Sequence, residues 1–306
     1  MNRILLCFLC ISCSLFSLEE EDLIWNEEPS VLDYTAFLQE ALQSQDWWSV
    51  IDYAEIISYH FPKSPFAIET AYLIGEAYYK LGHLELANER FTEYLSRVAS
   101  PKHFEQAIHY KFNIAEQFRN GVKKSLFGSH KLPKIVSAKE DALAIYDDVI
   151  IAFPHDEIAA KALLGKAQIQ TEFEDYKLSL ESLDLLIRRF PRHDLAAQAF
   201  VEKSHVYLRQ CQEQNLDPAL LDLADLNLRK FRLAFPRESR IAQAEQDFTQ
   251  MEEVFAEHLM KIGRFFEKTK KIPASILYYS KVLSQYPATE AASQAKAKLE
   301  SLQPAL

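Results

Sequence analysis

Apolar positions recur along this chain with a helical period, and they do so in paired blocks. In the stretch Ala71 to Tyr94, AYLIGEAYYKLGHLELANERFTEY, the residues Ala71, Ile74, Gly75 and Tyr78 fall at spacings of three, one and three. That is one face of a helix, with a small residue where a neighbouring backbone is expected to come close. Gly82 closes that helix. Ala87, Phe91 and Tyr94 then recur at four and three, so a second amphipathic helix is expected to fold back on the first.

The second half of this unit repeats. A small or β-branched residue is followed four later by a large apolar one, three later by another apolar one, and five further on by proline. Val50, Ala54, Ile57 and Pro62 fit this spacing, as do Ala142, Tyr146, Val149 and Pro154. So do Ser179, Leu183, Leu186 and Pro191; Ala224, Leu228, Phe231 and Pro236; and Ser275, Tyr279, Val282 and Pro287. Only the Ala71 unit slips, its Pro101 lying two residues late. Proline forces the preceding residue out of the α region, so each second helix is predicted to stop at a Phe-Pro or Tyr-Pro step. The last unit keeps the tetratricopeptide register of about 34 residues.

The expected fold is therefore all-α, a tetratricopeptide-like α-solenoid of six helical hairpins. The first pairs 31–43 with 46–59, capped by Asp46. The third is interrupted: its first helix, near 102–119, is followed by an inserted loop at 120–137. Hairpins four and five span about 156–190 and 194–235, with Asp217 placed to cap a helix, and hairpin six opens with a long helix near 239–268. A last helix, 289–302, closes the stack with Ala291, Ala292, Ala295 and Leu299 inward and Lys296, Lys298 and Glu300 in water.

Composition agrees. The 306 residues are 48% hydrophobic with only 6 glycines, which excludes a disordered or collagen-like chain. The net charge of −10, with no long basic run, removes the electrostatic basis for nucleic-acid binding and suits a solvated surface.

The amino terminus has its own pattern. After Arg3, an apolar run from Ile4 to Phe16 is shorter than the ~20 residues of a membrane-spanning helix and reads as a secretory signal. Leu9-Cys10-Ile11-Ser12-Cys13 is similar to a bacterial lipobox, with Ser12 before the cysteine that would carry lipid. Cys10 stands where leucine is usual, so cleavage near Ser14 or Ser17 is the alternative to lipidation at Cys13. The division is then 1–13 signal, 14–30 tether and 31–306 solenoid. The tether carries six carboxylates and no basic residue, which makes it self-repelling and extended.

Candidate chemistry is sparse. Phosphate-loop, His-Glu-x-x-His and nucleophile-elbow motifs do not occur, and no cofactor or metal is called for. His103 and His109 lie six apart, on different faces of a helix. Cys211 reads as a small core residue, since no base is placed beside it. Binding surfaces are the better candidates. Glu69, Tyr72, Glu76 and Tyr79, with Tyr110 and Gln117, would line the concave face as an aromatic and polar groove suited to an extended peptide. The commoner role for Tyr72, Tyr79 and Tyr110 at such positions is packing between hairpins. The insertion holds four lysines and an apolar tip, Leu126 and Phe127, which either folds back onto the solenoid, the favoured reading, or contacts a partner.

Taken together, the lipobox-like start, YHFPKSPFAIETAYLIGEAYYKLGHLELANERF, the interrupted third hairpin with its LFG and the ending FAEHLMKIGRFFEKTKKIPASILYYSKVLSQYPATEAA resemble the BamD family of tetratricopeptide lipoproteins. The resemblance implies a non-enzymatic periplasmic scaffold on the outer membrane. It implies partners too: a BamA-like barrel assembly protein held by the C-terminal hairpins, and unfolded β-barrel proteins taken by the N-terminal ones. The family usually has five hairpins, and its polar docking residues are not placed on the last hairpin, where Tyr278 and Tyr279 stand out instead. Leu73 to Tyr79 is similar also to the repeats of a secreted Tol-Pal protein. A lytic enzyme with a helical superhelix would need a lysozyme-like domain for which no residues are left.

Overall fold

The computed structural model describes residues 29–97, 100–126, 133–213 and 216–302. Its helices are α1 (Val31–Ser44), α2 (Trp47–His60), α3 (Pro65–Lys80), α4 (Leu84–Arg97), α5 (Phe104–Arg119), α6 (Lys139–Ala152) and α7 (Glu157–Glu172). They continue with α8 (Tyr176–Arg189), α9 (Asp194–Glu213), α10 (Ala219–Ala234), α11 (Ile241–Lys268), α12 (Ile272–Gln285) and α13 (Glu290–Leu302). Each packs on the next, and from α3 onward each first helix of a hairpin also touches the next first helix. The architecture is an all-α, tetratricopeptide-like solenoid of six hairpins, closed by α13.

The repeat anchors account for the packing. Val50, Ala54 and Ile57 on α2, Ala87, Phe91 and Tyr94 on α4, and Ala142, Tyr146 and Val149 on α6 are fully buried. So are Ser179, Leu183 and Leu186 on α8, Phe231 on α10, and Ser275, Tyr279 and Val282 on α12, while Ala224 and Leu228 on α10 are no more than 4% exposed. The aromatic-proline step ends each strict unit in one way. Phe61, Phe153, Phe190, Phe235 and Tyr286 have φ between −125° and −135°, and each N–H donates to the carbonyl of the third anchor. The helix therefore ends with a hydrogen bond satisfied, and proline prevents another turn.

Three glycines of first helices lie under aromatic rings. A Cβ on Gly75 would stand 2.9 Å from the Phe91 ring, one on Gly165 2.6 Å from the Tyr146 hydroxyl, and one on Gly263 2.5 Å from the Tyr279 ring. The close neighbour expected at Gly75 is thus a side chain, not a backbone.

Two further details differ from expectation. The described part of the insertion is not loop alone: β1 (Lys124–Ser125) pairs antiparallel with β2 (Lys134–Val136). This ribbon is tied back to hairpin two, where the Ser125 N–H donates to Glu85 and Lys134 Nζ donates to the Gly82 carbonyl at 2.6 Å. On α13, Ala291, Ala292 and Ala295 are buried, but Leu299 is only half-buried, and Lys298, whose side chain stays 42% exposed, also pairs with Glu267 at 2.9 Å. The α13 amino terminus is held by Glu253, whose carboxylate accepts from the N–H groups of Glu290 and Ala291 at 2.8 and 2.9 Å.

Candidate peptide-binding groove

Because first helices touch one another in series, residues one repeat apart meet side by side. Tyr110 on α5 donates to Glu76 on α3 at 2.8 Å, and Gln117 donates to the Tyr79 hydroxyl at 3.2 Å. The Tyr79 and Tyr110 rings lie 4.9 Å apart, and Tyr110 stacks on Phe91 at 5.1 Å. At the end of this seam Tyr72 stacks on His103 at 4.4 Å, while Glu69 accepts from Tyr94 at 3.2 Å. All six residues expected to line the groove are brought together. They are not the exposed positions expected, however: Tyr72 is buried, and Glu69, Glu76, Tyr79, Tyr110 and Gln117 are half-buried and paired between hairpins.

Burial raises two of the tyrosine hydroxyls. Tyr72 is pushed up to about 12 by desolvation and then by Glu76. Tyr110 is raised further, by desolvation and its hydrogen bond to Glu76. Both hydroxyls therefore stay protonated at neutral pH, and that of Tyr110 donates to the Glu76 carboxylate.

The seam extends beyond what sequence reasoning identified. Glu116 on α5 accepts from Tyr146 and, at 2.6 Å, from Arg119. Arg119 donates to Gln168 on α7 at 3.0 Å, and Gln168 donates to Glu202 on α9 at 3.3 Å. A polar ladder thus crosses four first helices. The signal was present: Glu76 and Tyr110, like Gln168 and Glu202, are 34 residues apart, one repeat length.

The other candidates fall elsewhere. Tyr279 is fully buried over Gly263 and donates to Glu267 at 2.6 Å, so it is a core residue and offers no partner surface. Tyr278 is half-buried on the outside of α12, stacked on Phe266 at 5.5 Å with Lys281 5.2 Å from its ring. Leu126 is half-buried at the end of the ribbon, whereas Phe127 and Cys13 lie outside the described residues. Cys211 is buried, and burial pushes its thiol up to about 11, which suppresses the nucleophilic thiolate.

A scaffold of stacked helical hairpins with a polar seam along its first helices is the class these features define. Within that class the chain belongs to the YfiO family of outer membrane lipoproteins, whose model matches residues 137–305, more than half of the sequence. A tetratricopeptide repeat protein from Parabacteroides merdae aligns over 88% of this chain and 97% of its own, at 14% identity and a TM-score of 0.37. MamA from Desulfovibrio magneticus aligns over 68% of this chain and 97% of its own, at 16% identity and a TM-score of 0.36. For the apo form of RapI the values are 89%, 76%, 13% and 0.39. Among curated proteins none matches this sequence.

Proposed function

We propose that this protein is a non-enzymatic scaffold lipoprotein of the outer-membrane β-barrel assembly machinery, anchored at the periplasmic face through lipid on Cys13. The single observation that carries this reading is the family match, which spans the solenoid from the end of the insertion to α13. In this reading a BamA-like barrel assembly protein docks on the C-terminal hairpins. Tyr278 is the candidate contact there, stacked on Phe266, whose neighbour Phe265 is exposed. Unfolded β-barrel proteins engage hairpins two and three, where Glu69, Glu76, Tyr79, Tyr110 and Gln117 keep partly accessible edges. Mixed aromatic and carboxylate groups of this kind suit an extended strand, whose backbone N–H groups need acceptors. Leu126 and Phe127 are the candidate contacts of the insertion.

The test is crosslinking in intact cells followed by affinity purification and mass spectrometry, with a Cys13→Ala variant alongside. Recovery of the barrel assembly protein with the parent chain, and release from the membrane in the variant, are the expected results. Recovery of Tol-Pal components in its place would overturn the assignment in favour of a Tol-Pal role.

A further inference from the structure

The three most exposed large apolar side chains among the described residues are Leu233, Tyr59 and Ile151, at 85%, 81% and 78% of full exposure. They share one repeat position. Each stands two residues after the third anchor, at the last turn of a second helix, in hairpins one, three and five. Hairpins two, four and six carry Ser96, Arg188 and Ser284 at that position. Scattered exposed apolar residues need no explanation, but recurrence at one register in alternate repeats places them in a row along one edge of the stack. No burial within the solenoid is gained there.

Charge is concentrated on the same edge. The five segments that join successive hairpins, 59–66, 96–104, 151–157, 188–194 and 233–240, hold eight Lys and Arg against four Asp and Glu, in a chain of net charge −10. Lys63, Lys102, Arg188, Arg189, Arg192 and Arg237 are all exposed. The chain also enters the solenoid here. Tyr34 near the start of α1 lies 6.2 Å from Phe61 at the end of α2, and Leu32 beside it is 65% exposed. Cations around apolar side chains, on the edge that receives the tether, are complementary to a leaflet of anionic lipid.

We propose that this edge lies against the membrane, with Tyr59, Ile151 and Leu233 at the headgroup level and the flanking arginines and lysines on anionic headgroups. The inference rests on the outer-membrane placement above. It adds an orientation: the hairpins stand on their inter-hairpin turns, and the turns within hairpins face away.

The test uses the full chain reconstituted in vesicles of phosphatidylcholine, alone or mixed with phosphatidylglycerol. Ile151→Cys and Leu233→Cys are labelled with a water-soluble maleimide, and Glu174→Cys, in the turn between α7 and α8, serves as the opposite edge. Labelling at 151 and 233 is expected to slow about tenfold in the anionic vesicles, to recover at high salt, and to be unchanged at 174. Adding Arg188→Glu and Arg189→Glu should restore the rate without touching the core. Equal rates in the two vesicles, or slowing that extends equally to position 174, would overturn the proposal. Co-flotation with either vesicle reads the lipid anchor separately, so failure of the anchor and failure of the edge contact are distinguishable.

Discussion

Asp247 occupies a core position of α11 between Ala244 and Met251, buried to 9% exposure with its Oδ2 unpaired. Its carboxyl is raised above the ordinary 3.8, first by burial and then by Glu202, with His205 opposing. A carboxyl raised in the folded state holds its proton more tightly there than in the unfolded chain. Stability is therefore greatest below the unfolded value, falls as pH climbs toward the folded one, and carries the full cost at neutral pH. Asp247→Asn is expected to stabilise the protein by about 1 kcal/mol at neutral pH, since it removes a buried charge with no partner. Urea titrations should show the gain vanish as pH is lowered toward the unfolded value, and a gain independent of pH would refute the electrostatic cause. Residue roles were unevenly legible in the sequence. Tyr279 was legible as core, because it is the middle anchor of its unit, and its prominence beside Tyr278 misleads only if that register is ignored. Glu116 and Arg119 were not, because their part of the ladder depends on contacts between helices that no local spacing encodes, whereas Glu202 is marked only by its one-repeat separation from Gln168.

Turns within hairpins show the same division at the scale of elements. Gly82, at φ 75°, closes α3 in the left-handed conformation that glycine adopts without cost. Gln45, Glu174 and Lys270 hold that conformation in the turns after α1, α7 and α11, with φ of 58°, 61° and 59°. Left-handed backbone costs a side chain about 1 kcal/mol. Lys270→Gly should therefore raise stability by about that amount, and Gly82→Ala should lower it equally. A Cβ at Gly82 would meet nothing within 4 Å, so its cost is conformational and not steric. Denaturant midpoints of the two variants check the pair, and shifts of the same sign would contradict the account. Glycine made one of these turns visible in the sequence, whereas the others are set by the helices on either side. The ribbon of β1 and β2 was hidden for a related reason. Strands of two and three residues show no alternation, and its position is set by Glu85 and the Gly82 carbonyl, far away in sequence.

At the scale of the whole molecule, the described residues form no single core. One apolar cluster joins hairpins one and two around Ile57, a larger one runs from hairpin two into hairpin five and contains Leu186, and three smaller ones fill the C-terminal part. The 28-residue α11 bridges those last clusters, with Met251 in one and Met260 in another. Stability of such a stack is a sum of hairpin terms and nearest-neighbour interfaces, so where a defect lies matters as much as its size. Ile57→Ala and Leu186→Ala each remove a fully buried side chain at a cost of about 2–5 kcal/mol. In the terminal hairpin the loss has one neighbour to spread to; in the fourth it has two. Native-state hydrogen exchange is expected to speed up in α1 through α3 alone for Ile57→Ala, and from α6 through α9 for Leu186→Ala. Uniform acceleration along the chain in the Ile57→Ala variant would show that the solenoid unfolds as one unit, and that its separate clusters do not act as separate cores.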